Sequence, residues 1–319
     1  MKNIYVFGEC MVELRADQAL TDAQTDNSKV LKQSFAGDVL NTAIYMKRTF
    51  SDINTHFLSA LGKDKFSDDM RAFFDGEEIK HDLVFKSDTK MPGLYAIETD
   101  ATGERTFTYW RDNAAAKDVM SFIDDAAIAT LAKGDMFFFS GISLAIIHNE
   151  DREQFWLMVE KLQQAGVQIV FDPNYRARLW DTPEQAKEQF EKAFSVSNVA
   201  LPGVDDFEQL YNIDNAKDLY DFCAPFNVKE LIIKNGPATV LSYLDGVCEQ
   251  FEITPVKNVV DTTSAGDSFN GAYLGARVNG LSIAQAISYG SKAAGFVIQH
   301  KGAIVDKAIF SDFVKKEFN

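Results

Sequence analysis

The stretch Asp261-Thr262-Thr263-Ser264-Ala265-Gly266-Asp267-Ser268-Phe269 gathers small residues, hydroxyls and two carboxylates into nine positions. It reads as a small-residue turn opening a last long helix, because Phe269, Tyr273 and Ala276 follow at helical spacing. Ala265 and Gly266 allow a ligand close to the backbone, and the free N–H groups of a first helical turn make a ready anion site. Asp267 falls in that turn, where the helix dipole favours the ionised carboxylate. Such a carboxylate can accept the proton of a hydroxyl that attacks a phosphoryl group. A plain Ser/Asp cap after a loop has the same spacing, so spacing alone leaves both readings open. A second candidate is Tyr109-Trp110-Arg111. On a strand, Tyr109 and Arg111 share a face and Trp110 takes the other. A guanidinium can hold a carboxylate by two parallel hydrogen bonds; a surface Arg beside core aromatics is the competing reading.

These residues need a scaffold, and the hydrophobic pattern supplies one. Ile4–Gly8, His56–Leu61, Met136–Ser140, Val167–Phe171, Val199–Leu201 and Leu231–Ile233 are short apolar runs, each ending at or near Gly or Pro. Separated by helical stretches, they predict an open parallel sheet with helices on both faces. Asp151–Ala165 carries Phe155, Trp156, Val159 and Leu162 on one stripe and stops at Gly166. Thr182-Pro183-Glu184 reads as a cap and first turn. Met91–Arg111 breaks the alternation as a β-hairpin, with a turn at Asp100-Ala101-Thr102-Gly103. Residues 13–35 lack helical periodicity as well. Together, 13–35 and 91–111 predict a small lid sheet on a single α/β domain spanning 1–319.

The chain has 319 residues, of which 46% are hydrophobic and 25% charged, an ordinary globular composition. It carries 32 basic and 47 acidic residues, a net charge of −15. That charge offers no general attraction to nucleic acid or anionic membranes, so an anionic substrate must be held by a few placed cations. Cys10, Cys223 and Cys248 are scattered, without zinc spacing, which suits a reducing compartment. The first residues read as a strand and lack a signal-peptide pattern, so a cytoplasmic location is expected. Phe137-Phe138-Phe139 reads as core strand. The acidic pairs Asp68-Asp69, Glu77-Glu78 and Asp124-Asp125 read as solvated helix ends, and Arg178 as a structural ion-pair residue. No Gly-x4-Gly-Lys-Ser/Thr occurs and no GxGxxG follows the first strand, which argues against P-loop and dinucleotide chemistry.

The Asp-Thr-Thr-x-Ala-Gly-Asp-Ser-Phe element resembles the C-terminal signature of the ribokinase (PfkB-type) sugar kinase family, and the resemblance runs along essentially the whole chain. Gly37-Asp38-Val39-Leu40-Asn41 is similar to the family's Gly-Asp-x-x-Asn sugar element. Gly141-Ile142-Ser143, Asp172-Pro173-Asn174-Tyr175-Arg176 and Lys234-Asn235-Gly236 fall where the family places substrate and nucleotide segments. Pro92-Gly93-Leu94-Tyr95, Tyr109-Trp110-Arg111 and Asn174–Trp180 resemble the 2-keto-3-deoxygluconate kinase branch, as does Thr99–Arg105. Ala36 replaces a Gly of the family pattern, Ser264 replaces another, and the family's Asn-x-x-Glu has no clean copy near Asp205 and Asp206.

The resemblance implies a ribokinase-like three-layer α/β/α sandwich with a β-sheet lid. It implies ATP-dependent phosphorylation of 2-keto-3-deoxy-D-gluconate to the 6-phosphate, with Mg²⁺ and, in some members, K⁺. Asp267 would be the base, and the N–H groups of Ala265, Gly266 and Asp267 the anion hole. Gly37, Asp38, Asn41, Tyr95, Tyr109, Arg111 and Arg176 would bind substrate. Asn174, Lys234, Gly236, Ser264, Ala265 and Gly266 would meet the nucleotide, and Asp261 and Thr263 a monovalent cation. A homo-oligomer formed through the lid sheet is also implied. The competing readings are a turn or cap residue for Asp38, an Asx-turn residue for Asn174 and a strand-end surface lysine for Lys234. A fructokinase-like kinase and a non-catalytic sugar sensor are the alternatives.

Overall fold

The computed structural model describes residues 1–16, 29–99 and 105–318. The strands are β1 (Asn3–Phe7), β2 (Met11–Ala16), β3 (Leu31–Ala36), β4 (Asn54–Leu61), β5 (Lys80–Lys86), β6 (Leu94–Thr99), β7 (Arg105–Trp110), β8 (Met136–Ser140), β9 (Gln168–Asp172), β10 (Val199–Ala200), β11 (Glu230–Asn235), β12 (Thr239–Leu244) and β13 (Val247–Glu252). The α-helices are α1 (Asp38–Thr49), α2 (Lys65–Gly76), α3 (Asp125–Leu131), α4 (Gly141–Ile146), α5 (Arg152–Gln164), α6 (Pro183–Val196), α7 (Val204–Tyr211), α8 (Ala216–Cys223), α9 (Ala265–Val278), α10 (Ile283–Val297) and α11 (Lys307–Phe318). Among the described residues, no helix is long and apolar enough to cross a membrane.

Nine strands form one sheet in the order β13-β12-β11-β10-β9-β8-β1-β4-β5. It is parallel from β5 through β11 and antiparallel across β11-β12-β13. All six apolar runs read from the sequence lie in it. Three further strands of this sheet carry no such run. β5 is an edge strand with only Leu83 and Val84 buried, so its apolar signal is short. β12 and β13 are a hairpin turning at Asp245 and Gly246, both with φ in the left-handed region.

Burial on both faces follows from the strand period of two. Ile4 and Val6 enter one core while Tyr5 and Phe7 enter the other, and Met136/Phe138 and Phe137/Phe139 divide likewise. The aromatic core packs Phe155 of α5 against Phe7, tilted, and against Phe139, edge to face, each at 5.1 Å between ring centroids. The opposite core receives Phe269 and Tyr273 of α9. The ends of α5 and α6 match expectation: Gly166 is left-handed after α5, and Thr182 caps α6 by accepting from Gln185, with Pro183 in the first turn. α9 is not the last helix, since α10 and α11 follow. Glu77 is not solvated either. It lies buried in a two-pronged pair with Arg48, both N···O distances being 2.8 Å.

A second sheet of four strands, β3-β2-β6-β7, stands apart from the first. β6 and β7 are antiparallel with Tyr95 opposite Tyr109, and β2 runs parallel to β6. The hairpin turn expected at 100–103, the middle of the 13–35 segment (17–28) and part of the 99–105 motif lie outside the described residues.

Two helices set the distance between the halves of the site. α1 begins at Asp38 and α9 begins at Ala265, and they cross where α9 carries Gly271. A Cβ there would lie 2.5 Å from the Thr42 carbonyl oxygen and 2.8 Å from the Met46 nitrogen, both backbone atoms that cannot swing aside. Gly271→Ala is therefore expected to destabilise the fold by about 1–3 kcal/mol, the usual cost of overpacking. It should also lower turnover by separating the two helices. Urea unfolding, read beside activity at a temperature where the variant remains folded, checks both effects.

Candidate active site

The nine-residue element does form a turn and helix start. Ser264 has φ +66°, a left-handed conformation that redirects the chain into α9. The Ala265 N–H is taken by the Thr262 carbonyl at 3.2 Å. Helix geometry leaves the N–H groups of Gly266 and Asp267 without intrahelical acceptors. A Cβ added at Gly266 would find a single neighbour within 4 Å, Lys234 Nζ at 3.8 Å. The nest is thus open above Gly266 and flanked by a cation, the arrangement an oxyanion requires.

Asp267 points from this turn toward α1, where Asn41 Nδ2 donates to its Oδ2 at 2.8 Å. Loss of hydration, then the negative charge of Asp38, pushes the Asp267 pKa up to about 7. Asn41 is buried and its own Oδ1 has no partner, an acceptor ready for a hydroxyl donor. Asp38 accepts from Ser140 Oγ at 2.6 Å and from Asn174 Nδ2 at 2.9 Å. Burial raises its pKa as well, the bonds from Ser140 and Asn174 opposing it. Asn174 has φ +35° and turns the chain out of β9 so that its amide faces Asp38.

A second polar group lies at the ends of β9 and β11. Lys234 Nζ bridges Asp172 Oδ1 and Asn270 Oδ1, each at 3.2 Å, while Asn270 Nδ2 donates to Asp172 Oδ2 at 2.7 Å. Lys234 is therefore no surface lysine. Asp206, at the start of α7, accepts from the Tyr175 N–H at 3.1 Å and from Arg176 Nη1 at 3.4 Å. Burial, with the charge of Asp172 next, pushes its pKa up to about 6. Of the two acids considered for the missing Asn-x-x-Glu element, Asp206 turns into the site and Asp205 is exposed. Gly236, left-handed at φ +56°, lies in the exposed turn just beyond β11.

From the four-stranded sheet, Tyr95 and Tyr109 stack at 5.6 Å, and Tyr95 OH donates to Glu13 at 2.6 Å. Trp110 faces the other way and is 59% exposed. The Arg111 guanidinium donates to the buried carboxylate of Glu9. Arg178 lies over the Tyr109 ring, 3.8 Å from its centroid, and donates to the Tyr109 hydroxyl. It bridges the core to the second sheet, rather than forming the ion pair expected of it.

Four acids (Asp38, Asp172, Asp206 and Asp267) are thus lined up with three fixed amides, one lysine and an open helix N-terminus. That set can bind a polyol, accept a proton and receive a phosphate. The pfkB family carbohydrate kinase pattern matches residues 1–308 of the chain. The chain is a pfkB-family carbohydrate kinase. It is 37% identical to the 2-dehydro-3-deoxygluconokinase of Haemophilus influenzae over the full length of both. It is 26% identical to a fructokinase of Klebsiella pneumoniae over 79% of each chain. In fold it superposes on a putative ribokinase II from Escherichia coli, solved in complex with ATP and Mg²⁺, with a TM-score of 0.83. That alignment spans 99% of this chain and 100% of the other at 20% identity.

Two further features lie around the turn before α9 and the helices that follow it in this PfkB kinase. Asp261 accepts from the Thr263 N–H at 2.9 Å and from the Gly302 N–H at 2.8 Å, tying the turn before α9 to the segment before α11. That segment is held from below by Tyr45, which donates to the Ala303 carbonyl at 2.8 Å and accepts from the Val305 N–H at 3.1 Å. A groove of about 830 Å³ runs between the 252–256 segment, α10 and α11. Val256, Ser291, Gly295 and Phe296 line it, and the Ser291 hydroxyl is buried without a partner. Among the described residues no three His, Cys, Asp or Glu side chains converge as a metal cage.

The raised pKa of Asp267 has two measurable consequences. A base works deprotonated, so kcat/KM should fall on the acid side through about pH 7. The carboxyl holds its proton more tightly folded (about 7) than unfolded (3.8), so the native state binds the extra proton between these values. Its penalty to stability is absent below the unfolded value and complete above about pH 7. Asp267→Asn should therefore raise the melting temperature more at pH 8 than at pH 4, while losing about 10²–10⁴-fold in turnover. A variant that kept near-normal turnover would remove Asp267 from the role of base.

Proposed function

We propose that this chain transfers the γ-phosphoryl group of ATP to the terminal hydroxyl of 2-keto-3-deoxy-D-gluconate, giving the 6-phosphate. The observation that carries the reading is Asp267: a carboxyl tuned near neutrality, fixed by Asn41 and set one residue after an open helix N-terminus. The full-length likeness to the Haemophilus influenzae enzyme supports the sugar acid over a neutral hexose. Gly37 to Asn41 and the lid-side Tyr95, Tyr109 and Arg111 hold the sugar acid, with Arg176 at its rim. Asp267 removes the proton of the attacking hydroxyl. The N–H groups of Gly266 and Asp267, with Lys234 beside them, receive charge on the transferring phosphoryl, so positioning and charge stabilisation do most of the catalysis.

The adenosine end of the nucleotide takes the groove beside Val256 and Ser291, with Gly236 and Ser264 near the phosphates. Asp172 and Asp206 fit a Mg²⁺ ion, since the charge of Asp172 adds to burial in raising the proton affinity of Asp206, a load that a cation relieves, and Mg²⁺ commonly takes one or two carboxylates plus phosphate oxygens and water. When bound, Mg²⁺ would neutralise charge on the nucleotide phosphates. A monovalent cation at Asp261 and Thr263 would act on the same turn. We read the four-stranded sheet as a lid, formed by about 13–35 and 91–111 within one kinase domain. Exposed Leu31, Phe107 and Trp110 favour its pairing with a second copy. The free cysteines, including exposed Cys248, fit a cytoplasmic setting.

A coupled ADP-release assay with Mg-ATP tests the reading against ketodeoxygluconate, ketodeoxygalactonate, fructose, ribose and no sugar. The expected result is turnover favouring a ketodeoxy acid; turnover on a neutral sugar alone would sink the assignment, and none above the no-sugar rate would support the sensor. Sedimentation should give a dimer for the parent chain and a monomer for Trp110→Lys.

A further inference from the structure

The chain passes between the main sheet and the four-stranded sheet at four places: after β1, after β3, before β6 and after β7. All four meet at Glu9. Glu9 itself lies in the first passage, directly between β1 and β2. In the second, a Cβ on Gly37 would stand 2.2 Å from the Glu9 carbonyl oxygen. In the third, a Cβ on Gly93 would stand 2.5 Å from Glu9 Oε1 and 3.2 Å from Arg111 Cβ. In the fourth, Arg111 donates through Nη2 to Glu9 Oε2. Two glycines thus leave the room that Glu9 occupies.

The placement is costly. Glu9 is 3% exposed, and Oε1 is buried with no hydrogen-bond partner. An orphaned buried acceptor in a native fold calls for a compensating role. Charge alone supplies none, because a carboxylate beside Arg111 cancels the attraction that a guanidinium would exert on an anionic substrate. Geometry does supply one. An Arg side chain has several rotatable bonds, and a single fixed anion on one nitrogen sets the plane of the whole fork.

We infer that Glu9 is a positioning residue: it holds the Arg111 guanidinium in the orientation that receives the substrate's carboxylate, at the junction through which the lid joins the core. The inference rests on the sugar-acid reading above. It makes the sign of one measurement decisive. If Glu9 acted only through its charge, Glu9→Gln would tighten binding of an anionic sugar. If it acts by aiming Arg111, the same change weakens it.

The experiment compares the parent chain, Glu9→Gln, Arg111→Gln and the double variant, with KM for ketodeoxygluconate and for ATP measured separately. Glu9→Gln should raise the sugar-acid KM by about 10-fold or more, the scale of one charge-assisted hydrogen bond, with kcat and the ATP KM little changed. In the Arg111→Gln background the second substitution should add almost nothing. Gly93→Ala, which crowds Oε1 while leaving Glu9 in place, should raise the same KM and serves if Glu9→Gln does not fold. An unchanged or lower sugar-acid KM, an equal rise in the ATP KM, or additive effects in the double variant would overturn the inference. A parent chain that ignores sugar acids but phosphorylates a neutral sugar removes the functional reading first and the positioning role with it, and that arm is read before any variant.

Discussion

The close crossing of α1 and α9 is the constraint on which the site depends. Helices ordinarily pack 8–10 Å apart, and the separation is set by the side chains at the contact. Here Gly271 brings the backbones together, and the gain is local: the N-terminal turns of both helices reach the same point. One turn carries Gly37, Asp38 and Asn41, the other Gly266 and Asp267. The 2.8 Å bond from Asn41 to Asp267 is the product of that geometry. Neither helix could bring a fixed amide, a buried carboxyl and an open N-terminal turn to one point by itself.

The polar centre built around this crossing is held under electrostatic load. Burial raises the proton affinity of Asp38, Asp206 and Asp267, and each is pushed further by another acid of the row. Asn41, Asn174 and Asn270 spread across the row as donors, and Lys234 is the cation bonded to Asp172 among the described residues. A row of carboxylates with so few fixed cations is suited to a cationic ligand and to hydroxyl donors. Placed donors and a helix N-terminus act at short range against the global field, which is how a strongly acidic chain could hold an anion.

What could be read beforehand divides by range. The Asp261–Phe269 element and the Gly37–Asn41 element are local, because each encodes a turn, a helix start and the side chains beside it in a few residues. The six central strands were legible since full burial leaves unbroken apolar runs. β5 was not, because an edge strand needs little apolar surface, although the Asp245-Gly246 turn between β12 and β13 was a usable signal left unread. The Lys234–Asp172–Asn270 bridge joins residues up to 98 apart in sequence and depends on strand order. Asp206 rather than Asp205 is settled by the phase of a helix whose start no motif marks. Glu9 was invisible for a different reason: its meaning comes from four passages that meet only in space.

The order of these parts along the chain has a consequence for synthesis. By residue 235 a growing chain has delivered α1, the second sheet and every strand of the parallel part of the main sheet. It has delivered neither Asp267 nor the N-terminal turn of α9. Asp261 then awaits Gly302, and Tyr45, placed in α1 long before, awaits Ala303 and Val305 to close its hydrogen bonds. A domain folding as it emerges would first assemble both sheets around α1, and the crossing that joins Asn41 to Asp267 would be among the last contacts it acquired.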